Sequence, residues 1–234
     1  MTEAVRFWAV IPAAGTGTRM LVDLPKQYLT LNGRHIIEYS LDIFCAHPAI
    51  AGVVVAIAAG DKLWPEMPCS RNPKITIAAG GAVRCQSVLN CLHALSALAD
   101  AEDWVLVHDA ARPCIRGEDI DQLITELRDH PVGGLLALPV RDTMKRADLD
   151  EGDGRHVRET VNRQGLWHAL TPQMFRLGGL RRALEQAIVQ GQLVTDESQA
   201  MELAGHRPKL VEGRAENIKI TRPSDLQLAK LYLS

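Results

Sequence analysis

Apolar and polar positions alternate along the chain in two rhythms. Near-continuous apolar runs at residues 7–11, 52–57, 104–107 and 133–138, with a shorter one at 74–78, have the length and aliphatic character of buried strands. Between them apolar residues recur at helical spacing. Ile36, Ile37, Leu41 and Phe44 share a face with Ser40, closed by His47 and Pro48; Val88, Cys91, Leu92, Leu95 and Leu98 form the next face, and Ile120, Leu123, Ile124 and Leu127 another. Strand followed by helix, repeated, predicts an α/β fold: a doubly wound, mostly parallel, Rossmann-like sheet with ligands at the carboxyl ends of its strands.

The rhythm breaks after residue 138. Residues 139–147 and 156–161 are polar and partly alternating, and the turn-prone Asp150-Glu151-Gly152-Asp153-Gly154 separates them. This reads as a long protruding β-hairpin arm over about residues 139–162. An arm so polar has little core of its own, so it is expected to pack on a second subunit and make a homodimer. Helical spacing returns at Leu180, Ala183, Leu184, Ala187 and Ile188, and again at Leu226, Ala229 and Leu233. With no internal repeat or clear linker, residues 1–234 read as one domain.

Composition narrows the function classes. The 234 residues are 47% hydrophobic but only 4% aromatic, so the core must be aliphatic, as buried parallel strands are. A net charge of −2 with no basic run argues against a nucleic-acid groove or an anionic membrane as partner, and leaves positive charge to act locally. The start Met1-Thr2-Glu3, with its first apolar run ending at Pro12, resembles neither a signal peptide nor a membrane span. Cys45, Cys69, Cys85, Cys91 and Cys114 are scattered, which suits reduced thiols and a cytoplasmic setting. Cys85, Cys91 and His93 match no zinc spacing and fit a packed helix better.

Chemistry concentrates where the first strand ends. Pro12, Ala13, Ala14, Gly15, Thr16, Gly17, Thr18, Arg19 and Met20, followed by Pro25-Lys26-Gln27, bring small residues and two cations to a strand end, where backbone N–H groups can wrap a polyphosphate. No Walker lysine follows, and Met20 stands where a dinucleotide fingerprint needs its third glycine. An ordinary strand-to-helix turn is the plain alternative. Asp109 follows the strand at 104–107 and can hold a substrate hydroxyl or a Mg²⁺ ion bound to phosphates; a local cap paired with Arg112 is the other reading. Gly80-Gly81 with Arg84 and Ser87 can approach a base or ribose, or simply form a turn entering a helix. His108 and His168 read as structural, because no nucleophile accompanies them. Cations and an acid without a general base require a nucleophile already ionised, and a phosphate monoester meets that need near neutral pH.

Taken together these residues resemble the 2-C-methyl-D-erythritol 4-phosphate cytidylyltransferases of non-mevalonate isoprenoid biosynthesis. The segments that carry the likeness are Ala13 through Met20, Pro25-Lys26-Gln27-Tyr28-Leu29, Val107 through Pro113, Pro139 through Arg146, Gly165 through Gln173, Thr195-Asp196-Glu197, and Val211-Glu212-Gly213 through Asn217-Ile218-Lys219. The resemblance implies CTP and a small polyol phosphate as substrates, with Mg²⁺ held mainly by the CTP phosphates. It implies that Arg19 and Lys26 stabilise charge on the α-phosphate, and that Arg163 and Lys219 hold the acceptor phosphate with Thr143, Thr171 and Thr195 nearby. Asp109 and Arg112 would face the sugar-alcohol chain, and Gly80, Arg84 and Ser87 the cytidine. It also implies a homodimer whose interlocked arms carry Thr143 and Arg163 into the partner's site. One departure is Ala82-Val83, where members often carry an acidic residue. Ribitol 5-phosphate cytidylyltransferases share loop and fold, and only the acceptor motifs separate the two. A nucleotide-sensing domain would need binding but no alignment for attack, so Lys26, Asp109, Arg163 and Lys219 together argue against it.

Overall fold

A computed structural model describes residues 5–15, 24–149 and 154–233. The chain runs β1 (Phe7–Pro12), β2 (Thr30–Leu31), β3 (Arg34–His35), α1 (Ile36–Ala46), β4 (Ile50–Ile57), β5 (Ile75–Ala79), α2 (Arg84–Leu95), β6 (Trp104–Val107), α3 (Gly117–Leu127) and β7 (Gly133–Pro139). It continues through β8 (Met144–Asp148), β9 (His156–Val161), β10 (Trp167–Arg176), α4 (Leu177–Val189), α5 (Glu197–Leu203), β11 (Lys209–Glu212) and α6 (Pro223–Tyr232). Seven strands make one sheet in the order β11-β7-β10-β6-β1-β4-β5. Every pairing in it is parallel except the two made by β10.

Period-two alternation in the strands builds a core on each face. Ala9, Ile11, Val53, Val55 and Leu106 face α1 and α3 through Leu41, Phe44, Ile120 and Leu123. Their neighbours Trp8, Val10, Val54, Ala56 and Val107 face α2, α4 and α5 through Val88, Leu92, Leu184 and Met201. A single strand such as β1, apolar at nearly every position, therefore serves two cores at once, which is why its sequence reads as a continuous run. Cys85 and Cys91 are buried in α2. Leu98 lies beyond the end of α2 and is exposed, so the helix is shorter than the apolar spacing predicts. Among the described residues no helix is long and apolar enough to cross a membrane.

The hairpin is present: β8 and β9 pair antiparallel as a sheet of their own, with Met144 opposite Val161 and Asp148 opposite His156. Its side chains are mostly exposed, and Lys145 and Arg146 reach across the pair to Thr160 and Glu159. The sequence pattern did not predict β10, an interior strand of the sheet that lies between β7 and β6. It contains Pro172 and begins with exposed residues, both of which mask a strand, and its pairing with β7 is interrupted between Ala169 and Gln173.

Candidate active site

Strand order reverses at β1. From β1 the chain crosses to β4 and β5 on one side and returns as β6 on the other, so the segments leaving β1 and β6 open next to each other. A cavity of about 290 Å³ lies there, lined by residues 12–15, 26–27, 81–84, 87, 109–111 and 219. This is the crevice at which doubly wound sheets bind ligands.

The loop after β1 is fixed from several directions. Ala13 N–H donates to Ala56 O at 2.9 Å, and its carbonyl accepts from the buried Gln27 side chain at 2.7 Å. Gln27 belongs to a short 3₁₀ turn, Lys26–Tyr28, whose Tyr28 hydroxyl donates to Asp61 at 2.7 Å. Lys26 is thereby placed on the cavity wall by clamps on both of its following neighbours. Gly80 shows how closely the second loop approaches: a Cβ there would stand 2.1 Å from the Ala14 Cβ and 3.1 Å from Ile57 O, so only glycine permits the contact. Gly81 N–H donates to Ser87 Oγ at 3.0 Å, and Ser87 donates to Val83 O, so Ser87 shapes the loop it was expected to share with the nucleotide. Ala82 and Val83 line the cavity with apolar side chains. Thr16, Gly17 and Arg19 lie outside the described residues.

Asp109 is the electrostatic centre. It is 7% exposed, and its Oδ1 accepts from Arg84 Nε at 3.0 Å while its Oδ2 meets Lys219 Nζ at 2.8 Å and Arg112 Nε at 3.6 Å. Burial alone would raise its pKa; the charges of Arg84, Lys219 and Arg112 outweigh burial and hold the carboxyl well below the usual range. Local pairing with Arg112 is thus the longest of its three contacts. The Asp109 carboxylate is thus already neutralised by three cations, surroundings less suited to a Mg²⁺ ion than to holding those cations in place.

The neighbours of Asp109 are braces. Thr171 is buried and does not line the cavity; its hydroxyl oxygen accepts from Asp109 N–H at 3.1 Å and lies 3.0 Å from His108 Nδ1. His108 Nε2 lies 3.1 Å from Arg112 O. The only proton arrangement satisfying all three groups is neutral imidazole, with Thr171 donating to Nδ1 and Nε2–H donating to the carbonyl. Burial agrees, pulling the His108 pKa down to about 4. Arg112 Nη1 donates to Asn217 O at 2.8 Å, Asn217 Nδ2 to Thr171 O at 2.8 Å, and Ile220 N–H to Ala111 O at 2.8 Å. Two bonds to the turn after β6 and one to β10 therefore dock residues 217–220 and bring Lys219 to the cavity.

The structure does not bring every candidate there. Thr143 and Arg163 are exposed at the arm and outside the cavity, Arg163 donating to Arg141 O. Thr195 is exposed, with its N–H and hydroxyl both on Gln199 Oε1. Arg84, expected on the cytidine side, has its guanidinium on two carboxylates, Asp109 and the fully buried Glu197. Glu197 carried no role in the sequence reading; its only signal there was its place in the Thr195-Asp196-Glu197 segment.

Comparison with known proteins follows this geometry closely. The family model described as IspD, 2-C-methyl-D-erythritol 4-phosphate cytidylyltransferase, matches residues 7–234. A Pseudomonas putida protein of that name is 57% identical over 222 residues, covering 94% of this chain and 93% of its own. One from Pseudomonas aeruginosa is 58% identical over 221 residues, with 94% and 93% covered. Among solved structures, a 4-diphosphocytidyl-2C-methyl-D-erythritol synthase superposes with a TM-score of 0.84 at 36% identity over 100% of both chains. The Francisella tularensis 2-C-methyl-D-erythritol 4-phosphate cytidylyltransferase gives 0.84 at 35%, over 97% of this chain and 99% of that one.

Proposed function

We propose, given that this chain belongs to the 2-C-methyl-D-erythritol 4-phosphate cytidylyltransferase family, that its reaction proceeds by direct in-line attack of the acceptor phosphate on the α-phosphate of CTP. The enzyme transfers CMP from CTP to 2-C-methyl-D-erythritol 4-phosphate, giving 4-diphosphocytidyl-2-C-methyl-D-erythritol and pyrophosphate. The observation that carries the mechanism is one cavity holding a small-residue loop and Lys26 on one wall and the Asp109–Lys219 pair on another.

Two anionic phosphates do not approach each other in water without neutralisation, so the site's first task is cationic. Lys26, with Arg19, stabilises charge growing on the α-phosphate; Lys219 holds the acceptor phosphate; loop backbone N–H groups take the remaining oxygens. Asp109 faces the acceptor's hydroxyls, and the turn at 80–84 reads cytidine through its backbone, for which the Arg84 guanidinium is not free. Positioning and electrostatics then supply nearly all of the catalysis, with no covalent intermediate. A divalent cation, Mg²⁺ in this proposal, would be held mainly by the CTP phosphates and would supply charge neutralisation there. The arm interlocks with a second copy, and Thr143 and Arg163 enter the partner's site. The dispersed free cysteines support a cytoplasmic setting.

Incubation with CTP, Mg²⁺ and either 2-C-methyl-D-erythritol 4-phosphate or ribitol 5-phosphate, followed by pyrophosphate release, tests the reading. Release is expected with the first acceptor; faster release with the second would overturn it.

A further inference from the structure

We infer that Glu197 is a positioning residue for this reaction, setting through Arg84 and Asp109 where the Lys219 ammonium meets the acceptor phosphate. The chain of contacts is continuous. Glu197 Oε1 and Oε2 accept from Arg84 Nη1 and Nη2 at 2.7 and 3.1 Å, a two-bond fork that fixes the guanidinium plane. The remaining nitrogen of the guanidinium, Nε, donates to Asp109 Oδ1 at 3.0 Å, which leaves Oδ2 to hold Lys219 Nζ at 2.8 Å. The path runs from the interior to the cavity: Glu197 is fully buried, Asp109 is buried, Arg84 is partly buried, and the Lys219 side chain is 37% exposed at the cavity.

Glu197 is itself held rigidly, as a positioning group must be. It is the first residue of α5, and that end is clamped to β10 by one side chain. Gln173 donates to Asp196 Oδ2 at 2.9 Å and accepts from Ser198 N–H at 2.7 Å, gripping the residues on either side of Glu197. An interior strand of the sheet thus sets the carboxylate that sets the arginine. The arrangement also separates the two substrates. The backbone of residues 81–84 is tied by the Ser87 bonds independently of the Arg84 side chain. Loss of Glu197 would release the Arg84 head, turn Asp109 and shift Lys219, while the nucleotide-side backbone stays in place.

The inference rests on the functional reading above, and the test keeps the two apart. Glu197→Gln preserves shape but removes the charge on which the fork depends, and Glu197→Asp keeps the charge at shorter reach. Steady-state KM for each substrate and kcat are measured with melting temperature, and CTP affinity is measured by calorimetry. In Glu197→Gln the acceptor KM is expected to rise about tenfold to a hundredfold, the scale of misplacing a binding group by an ångström, with CTP affinity within about twofold; Glu197→Asp falls between. Equal weakening of both substrates, or unchanged constants with only a lower melting temperature, would overturn it. Should the Gln variant not fold, the acceptor KM of the Asp variant decides alone: a rise confined to the acceptor supports the inference, and wild-type values reject it. A wild-type chain that released no pyrophosphate would defeat the functional reading instead.

Discussion

In the proposed mechanism single side chains divide into those that touch ligand and those that hold them. Lys26 is in the first group, and its truncation is expected to lower kcat by about 10² or more, the scale of losing one preorganised stabilising group. Its melting temperature should barely move, since the clamps on Gln27 and Tyr28 survive; near-normal turnover would remove Lys26 from the mechanism. His108 is in the second group and predicts a pH dependence. Its pKa is lowered from 6.5 to about 4 by burial, so the folded state keeps it neutral while the unfolded chain takes up a proton below 6.5. Stability is therefore complete above that value and lost as pH falls from 6.5 towards 4, by an amount on the order of 3 kcal/mol. Asp109, whose pKa is depressed, adds its loss only at lower pH still, as the carboxyl is forced to protonate. Denaturant midpoints from pH 7 to pH 4 measure the first window, and His108→Gln should flatten it.

At the scale of elements, β10 and α5 organise what the loops display. Gln173→Ala removes two hydrogen bonds that join them, one buried and one partly buried, and should destabilise the protein by about 2–3 kcal/mol; a denaturant midpoint unchanged from wild type would show that α5 is held otherwise. These are also the elements least legible in the sequence. β1, β4, β6 and β7 could be read because strands buried on both faces are apolar throughout, and α1 to α3 because one face repeats. β10 hides its role behind Pro172 and an exposed start, and β11 is only four residues long. The site divides the same way. Lys26 and Asp109 announce themselves by charge in the segments that follow β1 and β6, and Lys219 is reached only through the family resemblance, but Thr171, Arg112 and Glu197 act through partners distant in the chain, and such pairings have no local signature. Spacing likewise could not show that Arg84 faces two carboxylates.

For the whole molecule, the proposed dimer makes an arithmetic prediction. If Arg163 serves the partner's cavity while Lys26 serves its own, then Lys26→Ala and Arg163→Ala chains, each inactive alone, regain activity when refolded together. Half the dimers would be mixed, each with one intact site, so about a quarter of wild-type turnover is expected; no recovery would confine each site to one chain. The placement of β10 between β7 and β6 has a separate consequence, for the order in which a growing polypeptide can complete its fold. The outer edge of β6, apolar at all four positions, has no neighbour until residues 167–176 have left the ribosome. Throughout synthesis of α3, β7 and the arm, that edge is an open template for pairing with other chains. The nascent enzyme is therefore most prone to aggregate in the interval that ends when this one reversed strand slots home.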